Sequence, residues 1–282
     1  MGAPLAPGGF PPSAAGPVKP EGTPPGDRVD AALRVSAEAG RVVLESGGET
    51  YRAEDIIGAM AGSLGALDAE SYATLTGLMA SCTDETGRSR AIIKRIRKRQ
   101  MNLERIALVS ALARDAVSGK LGLDEAERGL CEIETVGAYP APWPAVGAAL
   151  ITGFFCLLFG GAWNDALVAA AIGLAMGRIT SWFGGMRLSD FFINIVGGAF
   201  AATVAMIASS LGLCAQRDTV IIGAIMLLVP GFMIVNAIRD TIAGDLVAGM
   251  ARLADAFISA TGISIGVGVA LKVWALVAGA AP

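Results

Sequence analysis

The sequence predicts an α-helical integral membrane protein, with about five transmembrane helices behind an N-terminal cytoplasmic α/β domain. Three observations carry that prediction. The 282-residue chain is 54% hydrophobic and only 17% charged, where soluble domains carry about a quarter charged residues. Its mean hydropathy is +0.59. The imbalance is local: only six of the 22 Lys and Arg residues, and six of the 25 Asp and Glu residues, follow residue 145. The second half is therefore a Gly/Ala/Ile/Leu/Val-rich block with the charge poverty of a lipid-embedded region.

Residues 1–26 are rich in Pro, Gly and Ala and lack both helical periodicity and the basic start and apolar run of a signal peptide. They read as a disordered cytoplasmic tail, which leaves targeting to the first hydrophobic helix. Residues 27–143 read as a cytoplasmic α/β domain. Residues 30–44 place Ala31, Leu33, Val35, Val42 and Val43 at helical spacing and stop at Ser46-Gly47-Gly48. Residues 49–64 form a second amphipathic helix. Residues 72–83 and 89–99 flank Asp84-Glu85-Thr86-Gly87 as the two strands of a hairpin. Helices over 102–117 and 123–135 are split at Ser118-Gly119, and residues 139–144 make a stiff, aromatic-bearing hinge at the membrane interface.

Residues 144–282 hold the transmembrane domain, with spans near 145–163, 166–183, 191–213, 219–238 and 256–278. Each is long enough to cross about 30 Å of hydrocarbon. Loops on the side of the N-terminal domain carry Arg178, Arg187, Arg239 and Arg252; the other side has Arg217 and a snorkelling Lys272. The positive-inside rule puts the N-terminus in the cytoplasm and the C-terminus outside.

Composition excludes several function classes. A net charge of −3 argues against nucleic acid as a partner. The four cysteines form no CxxC pair, which removes disulfide frameworks and zinc sites. The absence of histidine removes His-based triads, ligands and pH switches. No P-loop, dinucleotide fingerprint or kinase signature is present, so nothing points to ATP-driven pumping. No cofactor and no metal is expected, and the chain does not read as an enzyme.

The candidate substrate or ion path lies in the fourth span. Pro230 lacks an N–H and frees the carbonyl of Met226, while Gly231 lets the backbone bend. Broken helices of this kind line transporter sites, although a simple packing kink produces the same pattern. Asn236 and Asp240 share one helix face, with Arg239 beside them, and Asp245, Arg252 and Asp255 extend the pattern along an amphipathic linker over residues 245–255. Polar groups at this depth usually face a bundle interior; Arg239 and Asp240 also read as a boundary pair neutralising each other. Asn194, one turn inside the third span, is a second polar candidate, and Asp165 reads as a helix cap. Gly173/Gly177 and Gly262/Gly266 have the small-xxx-small spacing of close helix packing. In the soluble domain Glu45, Ser46, Glu49, Tyr51, Arg52, Glu54 and Asp55 crowd the junction of the first two helices, as a ligand site or as caps and surface ion pairs. The basic run 94–99 reads as a solvated strand face or a contact for anionic lipid, with nucleic acid a weak third choice in a slightly acidic domain without a nucleic-acid motif.

The run Val229-Pro230-Gly231 to Asn236-Ala237-Ile238-Arg239-Asp240, with Gly244-Asp245 and Arg252, resembles the threonine/serine exporter family. So does Leu44-Glu45-Ser46-Gly47 with Glu49-Thr50-Tyr51-Arg52 and Glu54. The likeness covers roughly residues 28–278 and is greatest to the YjjP-like split members, the half that carries the N-terminal soluble domain. It implies proton-coupled secondary export of small polar metabolites such as threonine and serine across the bacterial inner membrane. It implies too that the chain works with a second, smaller membrane protein in an oligomer. A C4-dicarboxylate such as succinate is the alternative substrate. Other classes are a membrane-anchored sensor or scaffold without transport and, last, an enzymatic soluble domain.

Overall fold

The computed structural model describes residues 25–137, 139–140, 142–183 and 189–278. Most of the expected tail, and Arg187, lie outside them. The chain divides into two compact units, one of residues 1–138 and 235–252, the other of residues 139–234 and 253–282.

The first unit opens with α1 (Pro25–Glu45) and α2 (Thr50–Ser63). The meander β1 (Leu67–Thr74), β2 (Gly77–Thr83) and β3 (Ser89–Arg95) follows, then α3 (Leu103–Val117) and α4 (Leu123–Thr135). All neighbouring strands are antiparallel in the order β1-β2-β3. Alternation puts Leu78, Ala80 and Cys82 of β2 into the core with Val43 of α1 and Ile56, Ile57 and Met60 of α2. Residues 25–26, expected in the tail, open α1 instead; Pro25 suits that first helical position because its missing N–H is one the helix leaves unpaired anyway.

Two strand expectations need correction. Residues 72–83 are not one strand, because Thr74 pairs with Gly77 across the two-residue turn Leu75-Thr76. The second strand ends at Arg95, so Arg97, Lys98 and Arg99 lie beyond the sheet. The expected turn at Asp84–Gly87 forms. Asp84 Oδ1 accepts from the backbone N–H groups of Thr86 and Arg88, both at 2.9 Å. Those bonds, with the Thr86 hydroxyl first among them, hold the Asp84 carboxyl below the usual range.

In the second unit α5 (Pro142–Leu158) and α6 (Trp163–Phe183) pack as neighbours, followed by α7 (Asp190–Ser210) and α8 (Arg217–Ile225). Two helices then pass from one unit into the other: α9 (Gly231–Ile242) and α10 (Leu246–Val277). The expected fourth span, residues 219–238, is not one helix: α8 stops at Ile225 and α9 starts at Gly231, since Pro230 has no N–H to continue the ladder and biases Val229 to extended backbone. The expected linker over residues 245–255 is mostly helical, forming the start of the 32-residue α10. Among the described residues α7 and α10 are long and apolar enough to cross a membrane, and α5 is a shorter apolar helix.

The glycine pairs do pack closely. A Cβ on Gly173 would fall 2.6 Å from the Ala148 carbonyl of α5. One on Gly262 would fall 2.8 Å from the Phe191 carbonyl of α7, and Gly266 sits tighter still on the Ile195 carbonyl.

Candidate functional site

The α1–α2 turn is the scaffold of the site. Helix α1 ends in a two-bond cap, Gly48 N–H to Val43 O at 2.9 Å and Gly47 N–H to Leu44 O at 3.1 Å. The cap requires Gly47 at φ 85°, a backbone that side chains resist. It also turns the Gly47 and Gly48 carbonyls outward as free acceptors. Helix α2 then begins at Thr50 with Glu49 as N-cap, and no side-chain bond from Glu49 caps it.

Residues nearly 200 positions later complete the turn. Asn236 Nδ2 donates to Gly47 O at 2.9 Å. Arg252 donates from Nη2 to Gly48 O at 2.6 Å and from Nε to Asp240 Oδ2 at 2.7 Å. The other oxygen of Asp240 accepts from the Thr50 N–H at 3.2 Å, so this carboxylate caps α2 in place of a local side chain. A negative group there also meets the positive end of the α2 dipole. Arg239 donates to Glu49 Oε1 at 2.7 Å, while Arg52 takes Glu49 Oε2 at 2.8 Å. Arg239 and Asp240 are thus not a self-neutralising pair. Successive helical residues point about 100° apart, and each meets a different partner.

Burial decides which of these contacts matter. Asp240 and Asn236 are fully buried and Arg252 is 5% exposed. A surface ion pair contributes little, but removing one partner of a buried pair costs about 3–5 kcal/mol, because the other charge is left uncompensated. Glu49 is buried as well, which by itself would raise its carboxyl pKa. Its backbone bond and the Arg239 and Arg52 guanidiniums outweigh that and hold it below the ordinary range. Glu54, one turn beyond Thr50, goes the other way. Desolvation pushes its carboxyl up against the opposing bond from the Ala73 N–H, and the negative charges of Asp245, Asp55 and Asp240 add to the rise.

The knot gathers Asn236, Arg239, Asp240, Glu49 and Arg52 from the candidates read in the sequence. Asp245 stands beside it, its N–H bonded to Asp240 O at 2.9 Å. Its Oδ1 accepts from Ala248 N at 3.2 Å, which caps α10, and its Oδ2 is a buried oxygen without a hydrogen-bond partner. Tyr51 is half-buried in the first turn of α2. Ser46 is 1% exposed, and its carbonyl accepts from Asn102 N–H at 3.1 Å. Glu45 belongs to a different cluster, where Arg41 draws Glu38, Glu45 and Glu134 together. Pro230, Gly231 and Asn194 belong to the second unit, where Asn194 is 8% exposed.

Sequence reasoning left Gly47, Gly48, Thr50 and Arg252 out of the site. The available signal was an arginine twelve residues past Asp240 in an apolar helix, which has to find an acid or carbonyls when buried. Asp165 was read as a cap and does more. It is fully buried; Oδ2 accepts from Ala162 N at 2.9 Å, and Oδ1 from Ala215 and Gln216 N–H groups at 2.7 and 3.2 Å. One carboxylate thereby ties the α5–α6 loop to the α7–α8 loop.

Comparison with known proteins extends this picture. The model of the family described as "Putative threonine/serine exporter" matches residues 34–274. The chain is 31% identical over 180 residues to the "Threonine/serine exporter" of Corynebacterium glutamicum, covering 62% of this chain and 37% of that protein. A "Probable threonine/serine exporter" of Mycobacterium tuberculosis is 26% identical over 183 residues, covering 64% of this chain and 34% of its own length. The "Probable succinate transporter subunit YjjP" of Escherichia coli is 25% identical over 248 residues, covering 87% of this chain and 96% of that protein. The chain therefore spans little more than a third of the length of the threonine/serine exporters it matches. No solved structure matches it.

Proposed function

The chain belongs to the threonine/serine exporter family, and we propose from that premise that it is one subunit of a secondary transporter exporting small polar metabolites, threonine and serine among them. The observation that carries the reading is the knot itself. Asp240, Arg252 and Asn236, polar groups on the apolar α9 and α10, are buried together around the cap of α2. A plain anchor needs no such residues, and burying them is costly unless they are fully paired.

In this reading the protein sits in the bacterial inner membrane with about five spans, its N-terminus cytoplasmic and its C-terminus outside. A second, smaller membrane protein completes the oligomeric transporter. The name of the Escherichia coli relative, a transporter subunit that the chain covers almost end to end, supports that division of labour. The break at Pro230-Gly231 frees carbonyls for the path, and Asn194 extends it along the third span. Proton coupling falls to Asp245 rather than Asp240. Asp240 already accepts from a guanidinium and an amide, whereas Asp245 keeps one buried oxygen without a hydrogen-bond partner. Export of succinate is the second reading, favoured by the same relative's name.

The test is efflux of labelled threonine, serine and succinate from preloaded cells, with the chain alone and beside a second, smaller membrane protein as partner. Efflux only with both present is expected. No efflux of any of the three, with both proteins shown to be inserted, overturns the exporter reading in favour of a sensor or scaffold.

A further inference from the structure

The knot has an imbalance of hydrogen-bonding capacity that its own contacts leave open. Every guanidinium in it is engaged: Arg52 and Arg239 on Glu49, Arg252 on Asp240 and Gly48 O. Within the knot and beside it, the buried side-chain atoms without a hydrogen-bond partner are three oxygens, Asn236 Oδ1, Thr50 Oγ1 and Asp245 Oδ2. Asn236 and Thr50 are both fully buried, so water does not compensate them from bulk. Orphaned buried polar atoms are rare and costly, about 1–3 kcal/mol each, and require an explanation.

Placement gives these oxygens a common neighbourhood. Thr50 shares a face of α2 with Glu54, and Asn236 shares a face of α9 with Asp240. Thr50 and Asp240 are bonded to each other, Asp245 is bonded to Asp240, and Glu54 feels the charges of Asp240 and Asp245. Four acids (Glu49, Glu54, Asp240 and Asp245) meet three arginines (Arg52, Arg239 and Arg252) here. Such a cluster attracts a compact cationic donor and repels a dianion.

We propose that Asn236 Oδ1, Thr50 Oγ1 and Asp245 Oδ2 form an ammonium subsite, which takes the amino group of an amino-acid substrate and discriminates against dicarboxylates. An ammonium group has three N–H donors, enough for the Asn236 and Asp245 oxygens, which only accept, and for the Thr50 hydroxyl, which accepts as well as donates. A dicarboxylate offers no donor and adds two negative charges to an acid-rich cluster, and rejection by unpaired buried acceptors is the stronger form of selectivity. The subsite names which end of the substrate of the exporter reading is held, and binding by the full chain is measurable without transport.

The experiment is calorimetric titration of the full chain in lipid nanodiscs with five probes. They are L-threonine, L-serine, 1-amino-2-propanol (no carboxylate), 3-hydroxybutanoate (no ammonium) and succinate. The three ammonium-bearing probes are expected to bind at least about tenfold more tightly than the other two, the size of a charged hydrogen bond. Asp245→Asn and Thr50→Val should each remove that preference. Asn236→Leu serves as a further variant only if its melting curve matches the parent's, because its Nδ2 also holds Gly47. Succinate or 3-hydroxybutanoate binding as tightly as threonine overturns the subsite, and so does binding of none of the five. Efflux of succinate without threonine, in cells carrying both proteins, overturns the subsite but leaves export standing. Absence of all efflux alongside the expected titration pattern sinks export and leaves the subsite standing.

Discussion

Replacing Asp240 by Ala tests whether the knot is a unit. The substitution leaves the Arg252 guanidinium buried without its carboxylate and the Thr50 N–H without its acceptor. The first loss costs about 3–5 kcal/mol for a buried pair with one partner gone, and the missing cap about 1 kcal/mol more. The Thr50 amide is a built-in reporter, because Asp240 Oδ1 is the side chain that protects it. Each 1.4 kcal/mol is a factor of ten, so hydrogen exchange at Thr50 should quicken by about three to four orders of magnitude in nanodisc-embedded protein. Arg252→Met alone strands the Asp240 charge and should cost a similar amount. The double variant Asp240→Ala/Arg252→Met leaves no unpaired charge and should recover about 2–3 kcal/mol of the summed losses, the coupling expected of groups in contact. Effects that add to within about 0.5 kcal/mol would show two independent residues and refute the reasoning. Asp240→Asn keeps an acceptor for Thr50 but loses the charge facing Arg252; it should insert normally and export poorly. Normal flux in that variant would remove Asp240 from the transport step.

Asp165→Ala strands three backbone donors and should cost about 3 kcal/mol at the low end of the range for unsatisfied groups. For a chain of this size that is a fall in melting temperature of about 6–12 °C; an unchanged melting curve would refute the loop-tie role. Glu54→Gln tests the sign of a pKa shift. A carboxyl raised in the folded state contributes stability below its unfolded pKa and loses it as pH rises through the folded value. The variant, whose amide oxygen still accepts from Ala73, should therefore melt higher than the parent at pH 7.5, by about 0.5 kcal/mol for a half-exposed charge. The gain should vanish near pH 4, and a gain equal at both pH values would refute the electrostatic account. Residues 25–143 expressed alone should show fast exchange at Thr50, because the fragment lacks Asp240; strong protection there would contradict the assigned acceptor.

Much of the architecture was legible because it rests on local rules. The stop at Ser46-Gly47-Gly48, the break at Pro230-Gly231 and the hairpin turn at Asp84–Gly87 each follow from backbone preferences of one or two residues. The Leu75-Thr76 turn was not legible. Tight two-residue hairpins usually announce themselves with Asn-Gly or Asp-Gly, and here the turn residues are a buried leucine and a threonine, neither with positive φ. The linker read over residues 245–255 became helix for a related reason. Asp245, Arg252 and Asp255 break its apolar run without breaking its helical propensity.

The site was legible as two halves and not as one whole. Glu49 and Arg52 stood out as a polar cluster, and Asn236, Arg239 and Asp240 as polar residues in an apolar helix. Nothing in local sequence says that the first cluster lacks a helix cap and that the second supplies it. That complementarity is visible only once the missing cap of α2 is set beside the carboxylate of Asp240. It also explains why Glu49 is a poor cap for its own helix: both its carboxylate oxygens are engaged by Arg52 and Arg239. The guanidiniums therefore do two jobs. They neutralise Glu49, and by occupying it they leave the α2 N-terminus to Asp240.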